Sequence, residues 1–206
     1  MARQVDYYFA TYSPWSYLGQ KLFNDIAVKH KLKVVYKPTP LGDLFAETGG
    51  LPLGKRHPAR QAYRWMDLQR WREKRGVALN LRPKFWPVQS TLADRCIIAL
   101  NQIHHDPNIF ATLAFKAVWE KDLDIADEMM VSTLLMASGL NAGEIIARAN
   151  SAETEATYQQ NRLDAMAAGV FGAPSYVIEG EVFWGQDRLE LLDEMLTSGR
   201  AAYQAL

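Results

Sequence analysis

The residues of this chain with the most chemical promise are Ser13 and Pro14, within the run Tyr7-Tyr8-Phe9-Ala10-Thr11-Tyr12-Ser13-Pro14-Trp15-Ser16-Tyr17-Leu18-Gly19. An apolar strand pattern passes through a short turn into a helical one. Ser13 stands where a helix N-cap belongs, because a serine oxygen can accept from the first unpaired amides. Pro14 suits the first helical position, where its missing N–H is no loss and its fixed φ fits the helix. A hydroxyl beside the positive end of a helix dipole can hold an anion. The same pair is also an ordinary helix start, and taken alone it favours structure over chemistry.

The elements that must position this turn lie on either side of it. Residues 4–10 read as a strand from their Val, Tyr and Phe content. A helix is expected from Pro14 to about His30, with Leu18, Leu22, Phe23 and Ile26 on one face. Leu32 to Lys37 alternates and stops at Pro38, which predicts a second strand. A helix-length crossover makes that pair parallel and right-handed. From about Leu41 to Ala168 the strand signal vanishes and helix starts recur. Pro58 opens a helix to about Arg75, Ser90 or Thr91 one to about His104, and Asp106-Pro107 one to about Lys121. Asp127, Asn141 and Ser151 are further N-cap candidates, the last helix reaching Gly169 at a C′ position. Ser175–Ile178 and Val182–Trp184 then flank a tight turn at Glu179-Gly180-Glu181. An amphipathic helix from Asp187 to about Thr197 closes the chain. The order βαβ, helices, ββα is that of a thioredoxin-like α/β fold. It predicts a thioredoxin-like domain over residues 1–40 and 169–206, interrupted by a helical insertion domain over 41–168.

Composition excludes several classes of function. The 206 residues balance 23 Lys and Arg against 23 Asp and Glu, so no global charge points to nucleic acid or an anionic membrane. The single cysteine, Cys96, rules out an internal disulfide or a Cys-X-X-Cys redox pair. It lies in the apolar run Arg95-Cys96-Ile97-Ile98-Ala99-Leu100, which predicts a buried, inert thiol. No stretch approaches the length of a membrane span, and Met1–Asp6 has no apolar signal-peptide region. A cytoplasmic protein is expected. No group of residues has metal-ligand spacing, and His104-His105 reads as a helix end.

Four segments carry a family likeness: Ser13–Gly19, Phe85-Trp86-Pro87-Val88, Gly169-Val170-Phe171-Gly172-Ala173-Pro174-Ser175, and Phe183-Trp184-Gly185-Gln186-Asp187-Arg188-Leu189. In this order and at these separations the chain resembles the 2-hydroxychromene-2-carboxylate isomerase family. That family shares its architecture with kappa-class glutathione transferases and with bacterial disulfide oxidoreductases carrying a helical insertion. In thioredoxin-like oxidoreductases the two cysteines stand where Ser13 and Ser16 stand here, so disulfide exchange fails on its essential atom. The resemblance implies that Ser13 donates a hydrogen bond to the thiolate of glutathione, which supplies the nucleophile. A free thiol titrates near ~8.5, and a donor at a helix N-terminus favours its ionised form. The resemblance further implies a cis Ala173-Pro174 bond and a short β-pairing between the main chain of Ala173 and the cysteinyl part of glutathione. It assigns Gln186 and Asp187 to the γ-glutamyl end, where a plain N-cap aspartate is the ordinary alternative.

The chain also departs from that pattern. Relatives carry an asparagine where Gly50 stands and a lysine where Arg60 stands, and Gln89 replaces another common asparagine. Arg60 keeps the charge and gains a fork for carboxylates. Between Lys55 and Arg75 there are eight Lys or Arg against Asp67 and Glu73, either a solvated face or an attractor of anionic ligands. Trp15, Phe85 and Trp86, with Trp184, are candidates for an aromatic acceptor pocket, although aromatics at such spacings are commonly core. The implied activity is glutathione-dependent isomerisation of a small aromatic carboxylate of the 2-hydroxychromene-2-carboxylate or hydroxybenzylidenepyruvate type. Thiolate addition, bond rotation and elimination would return the cofactor unchanged. A kappa-like transferase and a non-catalytic glutathione-binding protein are the alternatives. The resemblance implies a homodimer, with neither nucleic acid nor membrane as partner.

Overall fold

A computed structural model describes residues 3–205; Met1 and Ala2, the first residues of the N-terminal segment read above, lie outside that range, as does Leu206. Strand β1 (Gln4–Phe9) leads through a short loop into α1 (Pro14–Lys29) and β2 (Lys33–Pro38). Helices α2 (Leu41–Thr48), α3 (Pro58–Arg75), α4 (Thr91–Gln102), α5 (Asn108–Trp119), α6 (Glu128–Ala137), α7 (Ala142–Ala149) and α8 (Ala152–Ala167) follow. The chain returns through β3 (Ser175–Ile178) and β4 (Glu181–Trp184), a 3₁₀ turn at Gln186–Arg188, and α9 (Leu189–Ser198). The sheet order is β2-β1-β3-β4, with β1 and β2 parallel and the other neighbours antiparallel.

Central position explains why β1 is apolar on both faces. Tyr7 and Phe9 point into the larger core, where Tyr7 stacks on Phe9 at 4.3 Å and on Tyr176 at 5.1 Å. Tyr8 and Ala10 face the opposite way, against Leu41, Leu44, Ala165 and Val170. Alternation along one strand therefore gathers helices on both sides of the sheet. Lys37 ties the second face, its Nζ reaching Asp6 at 3.2 Å and Asp164 of α8 at 2.9 Å. The larger core runs without a break from sheet residues such as Val5 to helical ones such as Leu135.

Most expected elements are present. Ser13, Asp127, Asn141 and Ser151 cap their helices by accepting from a backbone amide, and α3 begins at Pro58. The hairpin turns at Glu179 and Gly180, with φ of 53° and 87°, and Glu181 already belongs to β4. Pro38, expected to stop β2, is its last residue; β2 is an edge strand, where a missing N–H is tolerated. One helix was not individually expected. Helix α2 follows Pro40 with no side-chain cap and contains Gly42, so local signals for it are weak; burial of Leu41 and Leu44 holds it.

Gly19 sets how closely α1 meets the chain's return. A Cβ there would sit 2.8 Å from Gln186 Cβ, 3.0 Å from the Tyr176 hydroxyl and 3.3 Å from Leu189 Cδ1. Gln186 Cβ lies next to the main chain, so the neighbour has little room to yield. The helical Gly42, in contrast, has nothing within 4 Å of the same construction. Gly19→Ala should lose about 1 kcal/mol net, overpacking outweighing the gain in helix propensity. Gly42→Ala should gain up to about 1 kcal/mol. Urea unfolding midpoints check both signs.

Candidate active site

Ser13 caps α1 with extended backbone angles, φ −84° and ψ 118°. Its Oγ accepts from the Ser16 amide at 3.2 Å, and its own amide donates to the Ala10 carbonyl at 3.0 Å. The side chain donates to nothing among the described residues, so the hydroxyl proton is uncommitted. Ser13 is 5% exposed, which shields that proton from bulk water.

The loop before it is fixed by a buried carboxylate. Asp94, in the first turn of α4 and fully buried, accepts from the Thr11 amide at 3.0 Å and the Thr11 hydroxyl at 2.8 Å. The Ser90 and Tyr158 hydroxyls donate to its other oxygen at 2.9 and 3.1 Å. No cation pairs with it among the described residues. Burial pushes the Asp94 carboxyl up to about 6, against the pull of these four donors. Trp86 adds a second tie, its indole N–H donating to the Tyr12 carbonyl at 3.3 Å.

The return segment supplies the opposite wall. The Ala173-Pro174 bond is cis, the Pro174 carbonyl accepts from the Gly185 amide at 2.8 Å, and the Ser175 hydroxyl donates to the Gly172 carbonyl at 2.7 Å. Ala173 itself is half-buried, and neither its N–H nor its C=O is paired among the described residues. That leaves one donor and one acceptor in strand-like spacing, a template for an extended ligand. Gly185 has φ 101°, and a Cβ there would collide with the Asp187 carboxylate. A cleft of about 190 Å³ lies against this wall, lined by Trp15, Asp67, Trp71, Ala173, Trp184, Gly185, Gln186, Asp187 and Arg188. A larger groove of about 660 Å³ follows β2 and the end of α4, and contains none of the expected site residues.

The cleft thus brings Trp15, Ala173, Gln186 and Asp187 together, with Pro174 next to Ala173 and Ser13 two residues before Trp15. Some expected side chains have other employment. The Arg75 guanidinium donates to the Gln186 side-chain oxygen at 2.7 Å and to its carbonyl at 2.6 Å, while also pairing with Glu190. Gln186 is therefore a buried joint between α3 and the last helix, and its main-chain amide has no backbone acceptor. Asp187 pairs with Arg188 at 2.6 Å. Arg60 is exposed on the first turn of α3, and Phe85 is exposed beside Lys84; neither lines the cleft. Trp86 sits by Tyr12 and Trp119 instead.

Sequence reasoning missed Asp94, Arg75, Arg64, Asp67 and Trp71. Arg64 lies 5.3 Å from the Trp86 ring, on the Tyr12 side of the site. Cys96 meets its expectation: it is fully buried, and burial pushes its thiol up to about 12. No helix among the described residues is long and apolar enough to cross a membrane.

Asp94 carries a pH signature. Its folded pKa lies above the ordinary 3.8, so the folded state binds this proton more tightly than the unfolded chain. The stabilisation from that proton is complete below pH 3.8 and disappears as pH rises through about 6. Asp94→Asn should remove this dependence. The stability of wild type relative to Asp94→Asn, from urea unfolding, should fall by up to about 3 kcal/mol between pH 4 and pH 7. Asp94→Ala orphans the Thr11 amide and three hydroxyls, and should cost about 3 kcal/mol at low pH.

The family model described as a DSBA-like thioredoxin domain matches residues 4–197. A 2-hydroxychromene-2-carboxylate isomerase from Sphingobium xenophagum is 27% identical over 198 residues, covering 95% of this chain and 99% of its own. Glutathione S-transferase kappa 1 from Caenorhabditis elegans is 24% identical, covering 94% of this chain and 90% of its own. A solved 2-hydroxychromene-2-carboxylate isomerase structure superposes with a TM-score of 0.77 at 22% identity, over 95% of either chain. That likeness is one of fold, and it agrees with the four-stranded sheet and the helices between its halves. With the model spanning nearly every described residue, this chain belongs to the DSBA-like thioredoxin domain family.

Proposed function

We propose that the protein is a glutathione-dependent isomerase acting on an aromatic acceptor of the 2-hydroxychromene-2-carboxylate type. The observation that carries this reading is the uncommitted Ser13 hydroxyl proton at the positive end of α1, in a site that has no sulfur of its own. Relatives named as isomerases and as a glutathione transferase support it.

The residues present fit glutathione. The unpaired N–H and C=O of Ala173 offer the two-point main-chain pairing that a peptide backbone needs. The amides of Gln186 and Asp187 have no backbone acceptor, which suits a carboxylate. Arg60, which does not line the cleft, is the cation assigned to a second carboxylate. When bound, glutathione supplies a thiolate that adds to an unsaturated carbon and leaves again after the bond has rotated.

The protein's own part is electrostatic. Ser13 accepts from the Ser16 amide, which leaves its own proton free for an anion at the helix start. An oriented donor and a helix dipole favour negative charge there, in a place withdrawn from water. Asp94 keeps the Thr11 main chain in place, so the donor does not have to be reoriented when charge appears. Trp15 on the cleft wall, with Trp86 behind Tyr12, offers flat apolar surface to a conjugated ring. Disulfide exchange has no atoms to run on, since positions 13 and 16 are serines and Cys96 is buried in α4.

Conversion of hydroxybenzylidenepyruvate, followed by absorbance with and without added glutathione, tests the proposal. Turnover should require glutathione, and Ser13→Ala should lower kcat/KM about 10²-fold with folding intact. Chromatography of the products separates the readings: an isomer with glutathione recovered fits the isomerase, whereas an accumulating conjugate would make the protein a transferase. A folded Ser13→Ala protein with undiminished turnover contradicts the assignment.

A further inference from the structure

The start of α3 carries three arginines that no carboxylate neutralises. Arg56, Arg60 and Arg64 form no ion pair among the described residues, whereas Arg70 and Arg75 of the same helix pair with Asp67 and Glu190. Arg60 and Arg64 are one helical turn apart and so share a face, and Arg56 lies just before the helix. Arg60 is near enough to disfavour the charge of Arg56, and Arg56 that of Arg64. Burial and then Arg60 hold the Arg56 guanidinium below its ordinary value, and burial and then Arg56 push Arg64 down to about 10. Like charges gathered without a counter-ion are the electrostatic footprint of an anion that comes from solution.

The geometry around Arg64 says where that anion sits. Its guanidinium carbon lies 5.4 Å from the Trp65 ring centre and 5.3 Å from that of Trp86. Stacking of this kind fixes the plane of the fork and leaves its N–H edge free. None of its donors is hydrogen-bonded among the described residues, in contrast to Arg75, which makes four hydrogen bonds. Trp86 in turn donates to the Tyr12 carbonyl, one residue from Ser13. Arg56 is steadied by its Nε–H, which donates to the Leu51 carbonyl at 2.7 Å, and lies 5.8 Å from the Phe45 ring. Both are half-buried and aromatic-backed, unlike the exposed Arg60.

We propose that Arg64 and Arg56 form an anion subsite for the acceptor on the Tyr12 side of Ser13, and that this acceptor is a planar conjugated acid bearing two carboxylates. The proposal rests on the preceding reading for what Ser13 does to that acceptor, and on Arg60 being the cation assigned to the tripeptide. Each guanidinium is a bidentate fork that matches one carboxylate, so two half-buried forks fit a dianion better than a monoanion. The tryptophans supply the flat surface that its conjugated body needs.

Three compounds with one skeleton provide the test: cinnamamide, cinnamate and 4-carboxycinnamate, titrated into the full-length protein by calorimetry in the absence of glutathione. The dicarboxylate should bind about tenfold or more tightly than cinnamate, equivalent to about 1.4 kcal/mol, with cinnamamide weakest. Arg64→Gln should erase the advantage of the second carboxylate, and Arg56→Gln, made before the helix begins, reports on the same subsite if the first variant folds poorly. Arg60→Gln should leave that advantage in place. Equal affinity for cinnamate and the dicarboxylate in wild type overturns the proposal, as does an advantage that survives both Arg64→Gln and Arg56→Gln. Because glutathione is absent, failure here leaves the glutathione reading standing. Tight dicarboxylate binding by a protein that never needs glutathione for turnover would defeat that reading alone.

Discussion

Four hydrogen bonds to the buried Asp94 carboxylate hold the site together. A buried charge without a cation is tolerated only when donors surround it, and these donors come from the β1–α1 loop, the turn before α4, and α8. The network is therefore a joint between the sheet and the helices that interrupt it. Its load falls on Thr11, two residues from the Ser13 cap. Moving α4 or α8 would move the loop that aims the hydroxyl. A satisfied polar network specifies one arrangement more sharply than apolar packing does, because any slip leaves a donor unpaired.

The opposite wall is positioned by a different device. Arg75 clamps the Gln186 side chain and carbonyl and also holds Glu190, so the last turn of α3 dictates where the final helix starts. Gly19 lets α1 approach this joint without a side chain between them. The two walls of the cleft are thus referred to the same helix, α1, and helix α3 contributes Asp67 and Trp71 to the lining. Residues of α1, α3 and the segments on either side of the β3–β4 hairpin line one cleft only because these long-range ties agree. The helices between the strands complete the site as well as covering the sheet.

Local rules made much of this legible in the amino-acid sequence. Ser13-Pro14, Asp127, Asn141 and Ser151 obey capping chemistry that acts within three residues, and each cap is present. The paired runs around Glu179-Gly180 likewise specify a hairpin by themselves. Helix α2 escaped because what forms it, burial of Leu41 and Leu44 against Tyr8 and Ala165, is tertiary. Asp94 escaped for a related reason: in the sequence it is an acid in the first turn of a helix, an ordinary dipole pairing, and its partners Thr11 and Tyr158 are 83 and 64 residues away. The clamp on the Gln186 side chain was likewise illegible, because it is made by Arg75, 111 residues distant. Arg64 looked like one of eight basic residues until its stacking on Trp86 singled it out.

The account turns on a serine proton given to sulfur, and the ionisation of that sulfur can be followed directly. The ultraviolet absorbance of the thiolate, recorded against pH for glutathione bound to saturation, gives its pKa in the site. The account predicts a value below the ~8.5 of a free thiol in wild type and a return toward it in Ser13→Ala. A bound thiol that titrates like the free one in the wild-type protein would contradict it.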